Sequence, residues 1–556
     1  MLTFWILVMA LAGGPSHPPM DSSDAPDLIF SGGAVYTMDP SRPKAEAVAV
    51  RHGRIVYVGD RTGAASMKGP ATRTIDLAGL TVVPGLTDAH GHVAGLGFSL
   101  ARLDLVGTGS AAQIAGLVKA KAGTLAPGEW ITGRGWDQND WQVTAFPSRK
   151  DLDAAAPDHP VALERIDGHA TWANSRALHL AGITRRTPDP SGGQVIRDAD
   201  GEPTGILVDN AEDLILSKIP APSREQTRDA LVRSMRKCLE AGLTQVHDAG
   251  ISQDVLDLYR EILVAGGFPF RVYAMLSDDD ALLADRFAKG PEIGLGDHRL
   301  TVRAVKVYMD GALGSRGAAL LAPYQDDPGN TGLLRIQPER LTRIARQAAQ
   351  RGFQVAVHAI GDRGNRLALD AIQAALPDGA GRDLRFRIEH VQTLAPQEFP
   401  RFASLGVIAS MQPTHATSDM YWAEQRLGAE RIKGAYAWRT ILDSGARLVC
   451  GSDFPVESER PLLGFYAAVT RQDAKSFPEG GWFPRQRLTR EEALRCFTSW
   501  PAYAAFEEDL RGVIAPGRLA DMTVLTKDIM TVPPAEILET TVAMTIVGGK
   551  VAYEKP

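Results

Sequence analysis

Apolar and polar positions alternate at both ends of the chain and change rhythm between them. Near the start, Asp27-Leu-Ile-Phe-Ser-Gly-Gly-Ala-Val-Tyr36 and Ala47-Val-Ala-Val-Arg-His-Gly-Arg-Ile-Val-Tyr-Val58 show the texture of strands in antiparallel hairpins. Ala520-Asp-Met-Thr-Val-Leu525 and Thr541-Val-Ala-Met-Thr-Ile-Val-Gly-Gly-Lys-Val-Ala-Tyr553 repeat it at the other end, predicting one small β-sandwich composed of residues 27–80 and 510–556. In between, short β-branched runs alternate with longer amphipathic stretches, as in Leu333-Leu-Arg-Ile336 followed by Leu341 to Gln350, which is the signature of βα units and a parallel sheet. Candidate strands are Leu243 to His247, Leu300 to Tyr308, Gln354 to His358, Arg385 to His390, Val407 to Met411 and Arg447 to Asp453. Polar residues recur at their C-terminal ends, where a (β/α)8 barrel places its active site, so residues 81–509 are predicted to form a barrel of this α/β class. Residues of about 110–219, rich in Gly, Pro and Trp, do not reduce to one βα unit and read as an insertion over the barrel mouth.

The chemistry sits at the strand ends. Thr81-Val-Val-Pro-Gly-Leu-Thr-Asp-Ala-His90-Gly-His92 is an apolar run closing on two histidines one residue apart, which in an extended strand share a face. Phe353-Gln-Val-Ala-Val-His358 and Phe386-Arg-Ile-Glu-His390 end in histidine as well, and Leu448-Val-Cys-Gly-Ser-Asp453 ends in aspartate. Singly, His358 or His390 reads as a hydrogen-bonded core histidine and Asp453 as a helix N-cap. Jointly they point to a metal, because a barrel brings every strand end to one axis. Val302-Arg-Ala-Val-Lys306-Val-Tyr-Met-Asp310 adds a lysine inside an apolar strand, where an ammonium is costly unless paired or deprotonated. A neutral Lys306 amine could take up carbon dioxide and become a carbamate that bridges two cations; the alternative is a lysine reaching from the strand end to solvent.

Composition narrows the partners. The 556 residues are 44% hydrophobic and 23% charged with net charge -6, an ordinary globular balance with no basic footprint for nucleic acid. A small-molecule partner is expected, and subunit count stays open, a homodimer included. Cys238, Cys450 and Cys496 are far apart, odd in number and without C-x-x-C spacing, which argues against a disulfide framework and against thiolate ligands. The first residues, Leu2 to Gly13, form an apolar run too short to span a bilayer but suited to a signal peptide, and Ala10-Leu11-Ala12 fits a cleavage site. Residues 1–26 are therefore expected to be a signal and linker for export to a periplasm or the exterior. The missing Lys or Arg before the run keeps a cytoplasmic protein with a frayed tail as the alternative.

Taken in order, these segments resemble the amidohydrolase superfamily. Asp167-Gly-His-Ala-Thr-Trp-Ala-Asn174, the Asp310-Gly-Ala-Leu-Gly-Ser-Arg316 run and Pro516-Gly-Arg-Leu-Ala-Asp521 resemble its YtcJ-like branch, which includes N-substituted formamide deformylases. The resemblance implies a distorted TIM barrel beside a composite β-sandwich and one or two divalent metals, usually zinc. It implies His90 and His92 as ligands of a first metal, His358 and His390 of a second, a carboxylated Lys306 as the bridge, and Asp453 as ligand and proton shuttle. The implied reaction is hydrolysis of a non-peptide carbon–nitrogen bond, an amide first, giving acid and amine. An ester, lactone or cyclic amidine remains an alternative substrate, and a non-catalytic small-molecule binder an alternative class. Around this core, Asp167 and His169 are substrate or supporting groups or a polar turn. Asp310 and Arg316 grip a substrate or form a structural ion pair. Trp136 is a hydrophobic substrate wall or packing. His247 and Asp248 read as supports behind the ligands, and His415 as a substrate contact.

Overall fold

The apolar runs in the middle of the chain become parallel strands that curl into a barrel. In the computed structural model, which describes residues 25–166, 168–190, 192–376 and 383–556, the strands are Leu86–Gly91, Leu243–Ile251, Arg271–Leu276, Leu300–Tyr308, Gln354–Ala359, Arg387–His390, Ile408–Met411 and Arg447–Cys450. Each pairs in parallel with the next. Between the first and eighth, closure comes from the segment beyond the eighth strand. Ser452 Oγ donates to Asp88 at 2.6 Å, Asp453 N to the His90 carbonyl at 2.7 Å, and His92 N to the Phe454 carbonyl at 2.9 Å.

The barrel interior is packed by Ala249, Tyr273, Met275, Ala304, Ala356 and Ala505. Because successive strand residues alternate faces, Lys306 and His358, two residues beyond Ala304 and Ala356, also point inward, near the C-terminal ends. Arg271–Leu276 is a strand that the sequence pattern did not single out; its leading Arg271 is buried against Asp521, at 2.7 and 2.9 Å. Leu333–Ile336, predicted as a strand, is not one. Leu334 makes an isolated bridge to Asp310, Leu333 is exposed, and the helix Pro338–Arg351 instead follows a long irregular segment.

The two ends of the chain share one mixed sheet. Its order is Lys550–Glu554, Val542–Val547, Met522–Leu525, Thr81–Pro84, Leu28–Tyr36, Lys44–Arg51 and Arg54–Gly59, with Arg73–Asp76 also paired to Leu28–Tyr36. Phe30, Val48, Val82, Met522, Val524 and Ile546 form its core. The run Thr81 to His92 thus serves two sheets, changing from one to the other at Pro84-Gly85. Gly85 is required there by close approach, since a Cβ would lie 2.4 Å from Thr244 Oγ1.

The chain divides into two compact units, one ending at His92 and resuming as Lys237–Pro556, the other Val93–Arg236. The second unit is wider than residues 110–219. It includes the helix Val93–Ser99, whose Gly97 would meet the Ala230 backbone if it carried a Cβ. Its own sheet runs Gly193–Arg197, Pro203–Asp209, Ala170–Ala173, Val161–Arg165, Ile131–Trp136, Leu103–Asp104, over a core containing Trp136, Trp141 and Trp172.

Cys450 and Cys496 form a disulfide, with Cα atoms 5.2 Å apart, against the expectation from cysteine count and spacing. Forty-six residues separate them in sequence, and pairing over such a span is set by the fold rather than by a local motif. The N-terminal apolar run lies outside the described residues, and among those described no helix is long and apolar enough to cross a membrane.

Candidate metal centre

At the C-terminal mouth of the barrel the strand ends deliver His90, His390 and Asp453 together, with one ligand atom from each lying within 4.8 Å of the others. His390 (φ 75°) and Asp453 (φ 62°) both adopt left-handed backbone, a strain of about 1–3 kcal/mol each that aims their side chains off the ends of their strands. His92 reaches the same carboxylate, its Nε2 3.1 Å from Asp453 Oδ1, and His90 Nε2 lies 3.5 Å from that atom. The His358 ring centroid is 4.5 Å from that of His390, and Lys306 Nζ stands 3.1 Å from His90 Nε2. His415 stacks on His390 with centroids 5.9 Å apart and puts Nε2 3.8 Å from Asp453 Oδ2.

Three of the histidines have their Nδ1 committed. His90 Nδ1 meets Glu389 Oε2 at 2.6 Å, His92 Nδ1 the Ala249 carbonyl at 2.9 Å, and His390 Nδ1 the Gln412 Oε1 at 2.9 Å. Each partner is an acceptor, so each Nδ1 carries the proton and each Nε2 keeps its lone pair. The Nε2 lone pair of His92 then faces a carboxylate oxygen, acceptor against acceptor, while that of His90 accepts from Lys306 Nζ at 3.1 Å with the same carboxylate oxygen 3.5 Å away. His358 Nε2 and His415 Nε2 are buried with no hydrogen-bond partner among the described residues. Such a donor set fits a cation between its members, and imidazole nitrogen with carboxylate oxygen suits a divalent metal such as zinc.

Electrostatics keep the set ready to bind. Burial, with the Lys306 charge beside it, lowers His90 to about 4, and the same two causes lower His358 to about 3. Burial and His358 push His390 well below its ordinary value. These imidazoles are therefore neutral at neutral pH. Burial alone would raise the Asp453 carboxyl, but the imidazoles of His92, His90 and His415 around it hold it well below the usual carboxylate range. Burial brings Lys306 down to about 8, against the opposing pull of Glu389 and Asp453.

The remaining sequence candidates divide. Asp310 is buried, its carboxylate taken up by the N–H groups of Ala319, Ile360 and Gly361 at 2.8–2.9 Å, and burial raises it to about 7. It braces the loop after the fourth strand, with His358 Nε2 3.7 Å away. Arg316 pairs with Asp326 at 2.9 Å, the structural alternative. Trp136 is fully buried in the second unit, its Nε1 donating to the Leu163 carbonyl, so it packs a core and presents no wall. His169, also in the second unit, is exposed and bonded to Asp209 at 2.9 Å, and Asp167 lies outside the described residues. His247 accepts from Arg387 at 2.8 Å, and Asp248 accepts from Tyr259 at 2.6 Å, both inside the barrel unit.

Sequence reading missed Glu389, Arg387 and Gln412, which support the histidines from behind. The signal was present in the strand itself. Arg387 and Glu389, two residues apart, are charged groups on one face of a buried strand, a position that demands pairing.

Several known proteins resemble this chain. YtcJ of Bacillus subtilis (strain 168), an amidohydrolase by name, is 36% identical over 535 residues, spanning 95% of this chain and 99% of its own. The N-substituted formamide deformylase of Arthrobacter pascens is 29% identical over 550 residues, covering 95% and 98%. The crystal structure of an uncharacterised metal-dependent hydrolase from Pyrococcus furiosus superposes with a TM-score of 0.75 at 30% identity, over 91% of this chain and all (100%) of that one. Residues 73–553 match the Amidohydrolase family, and the chain belongs to it.

Proposed function

We propose that this protein hydrolyses a non-peptide carbon–nitrogen bond, an amide in the first instance, releasing a carboxylic acid and an amine. The observation that carries the reading is the set of pinned histidines whose Nε2 lone pairs converge on the Asp453 carboxylate. The deformylase relative, which by name acts on a formamide, supports an amide as the bond cleaved.

His90, His390 and Asp453 would hold at least one zinc ion, with His92 and His358 completing a two-ion site when Lys306 is carboxylated. A divalent ion there would supply Lewis acidity and would make a water at the site acidic enough to lose a proton near neutral pH. Asp453, held ionised, accepts a proton from the attacking water and returns it to the leaving nitrogen. His415, with Nε2 directed toward Asp453 and otherwise unpartnered, orients the substrate group nearest that carboxylate. For Lys306, lowering to about 8 leaves a fraction of neutral amine at neutral pH. Carbon dioxide adds to that amine, an N–C bond forms, and one N–H proton passes to solvent.

The test is turnover by stripped and zinc-reloaded protein against a panel of amides, esters, lactones and cyclic amidines. The reading expects zinc-dependent release of amine from amides. A fully loaded protein silent on the whole panel contradicts it and favours a binding protein.

We also propose export. The support is the Cys450–Cys496 disulfide, since such bonds persist in oxidising compartments. Protein collected from the periplasm or medium, with those two thiols resistant to alkylation, is the expected result; protein retained in the cytosol with both thiols reactive contradicts it.

A further inference from the structure

The sixth barrel strand, Arg387–His390, carries two charged residues ahead of its terminal histidine, and both are fully buried. Arg387 Nε donates to Glu389 Oε1 at 2.8 Å and its Nη2 to Glu389 Oε2 at 3.1 Å. The same guanidinium donates to the Ala89 carbonyl at 2.7 Å, to Ser410 Oγ at 2.9 Å and to His247 Nδ1 at 2.8 Å. Glu389 Oε2 also takes the short 2.6 Å contact from His90 Nδ1.

Arg387 therefore holds His90 twice. Through Ala89 it fixes the backbone immediately before the ligand, and through Glu389 it fixes the ring. A carboxylate whose two oxygens accept from a guanidinium can only accept from the imidazole, which leaves His90 one tautomer and one ring orientation. We propose that the Arg387–Glu389 pair is a positioning device for His90, setting the affinity of the metal centre rather than merely filling the barrel with a satisfied ion pair. The inference rests on the metal-centre reading above. Partners of this kind tune ligand basicity as well as direction, and their loss weakens metal binding by about 10–100-fold.

The experiment uses the full chain, stripped with a chelator and titrated with Zn²⁺ against a chromophoric competitor at neutral pH. Glu389→Gln removes the charge and leaves Arg387 unbalanced, so the charge-balanced Arg387→Met/Glu389→Gln double variant accompanies it in case the single one fails to fold. Folded variants are expected to bind zinc about 10–100-fold more weakly than the wild type, with fold confirmed by circular dichroism of the metal-free forms. Folded variants with wild-type zinc affinity overturn the proposal while leaving the metal reading intact. A wild type that takes up no zinc removes the metal reading itself, and the proposal with it. Independently of any variant at these positions, ¹⁵N-histidine spectra of metal-free wild type, with His90 assigned by its loss in His90→Gln, are expected to show the proton on Nδ1. A proton on Nε2 overturns the proposal.

Discussion

Asp453 holds φ at 62° while its oxygens face His92 at 3.1 Å and His415 at 3.8 Å. Asparagine tolerates left-handed backbone better than other non-glycine residues, so Asp453→Asn should fold normally and lose only the charge and the proton-accepting oxygen. Turnover of the best amide substrate should fall by about 10²–10⁴-fold with the melting temperature within a few degrees of wild type; a variant of undiminished kcat would remove Asp453 from the proton path. At this scale, what the sequence made legible was the convergence of strand-end histidines, because a barrel leaves strand ends few other places to point. What it hid were groups whose meaning arises only across strands. Gln412 acquires its role from His390 on the preceding strand, 2.9 Å away, and no spacing along the chain encodes that contact. For Trp136 the sequence left a substrate wall and packing both open, and only the fold decides for packing: the residue ends a strand, Ile131–Trp136, and lies in a tryptophan-rich core.

Among the elements, the eighth strand, Arg447–Cys450, bears on both barrel closure and the candidate metal centre, since Gly451 to Asp453 follow it directly. Its last residue is tied by disulfide to Cys496, the end of the helix Arg490–Cys496. Closing a loop of this length restricts the unfolded chain by up to about 4 kcal/mol in the chain-entropy account. A Cys450→Ala/Cys496→Ala variant should therefore melt several degrees lower than the oxidised wild type, and reduction of the wild type should reproduce much of that loss. Equal melting temperatures in all three would show that the link contributes nothing. The sequence pattern located Leu300–Tyr308 to the residue and five neighbours to within a few residues, because continuous β-branched runs suit strands covered on both faces. It passed over Arg271–Leu276, whose leading arginine looks like a surface residue until Asp521 is placed beside it. It overread Leu333–Ile336, an apolar run too short for periodicity to decide.

On the scale of the whole molecule, the sheet formed by the two chain ends is joined to the barrel through buried charge. Arg271, leading the third barrel strand, grips Asp521 just before Met522–Leu525, and Arg511 lies 3.5 Å from the same carboxylate. Burial alone would raise Asp521, but the two guanidinium groups outweigh it and hold the carboxyl at about 2, below its ordinary 3.8. A depressed acid contributes its full stabilisation above its unfolded pKa, so this tie is complete above about pH 4 and is lost as pH falls through about 2. Asp521→Asn should lower denaturant stability at neutral pH, with the gap to wild type narrowing over that acid range; a gap independent of pH would contradict the assignment. The joining of distant ends was legible as shared strand texture. The charge that joins them was not, since 250 residues separate Arg271 from Asp521. At the other, C-terminal ends of the barrel strands His90, His390 and Asp453 converge, and we read that convergence as a metal site. Anomalous diffraction at the zinc edge from crystals of the zinc-loaded protein tests it most directly. The account predicts an anomalous peak within bonding distance of His90 Nε2, His390 Nε2 and an Asp453 oxygen; zinc-soaked crystals with ordered side chains and no peak between those atoms would contradict it.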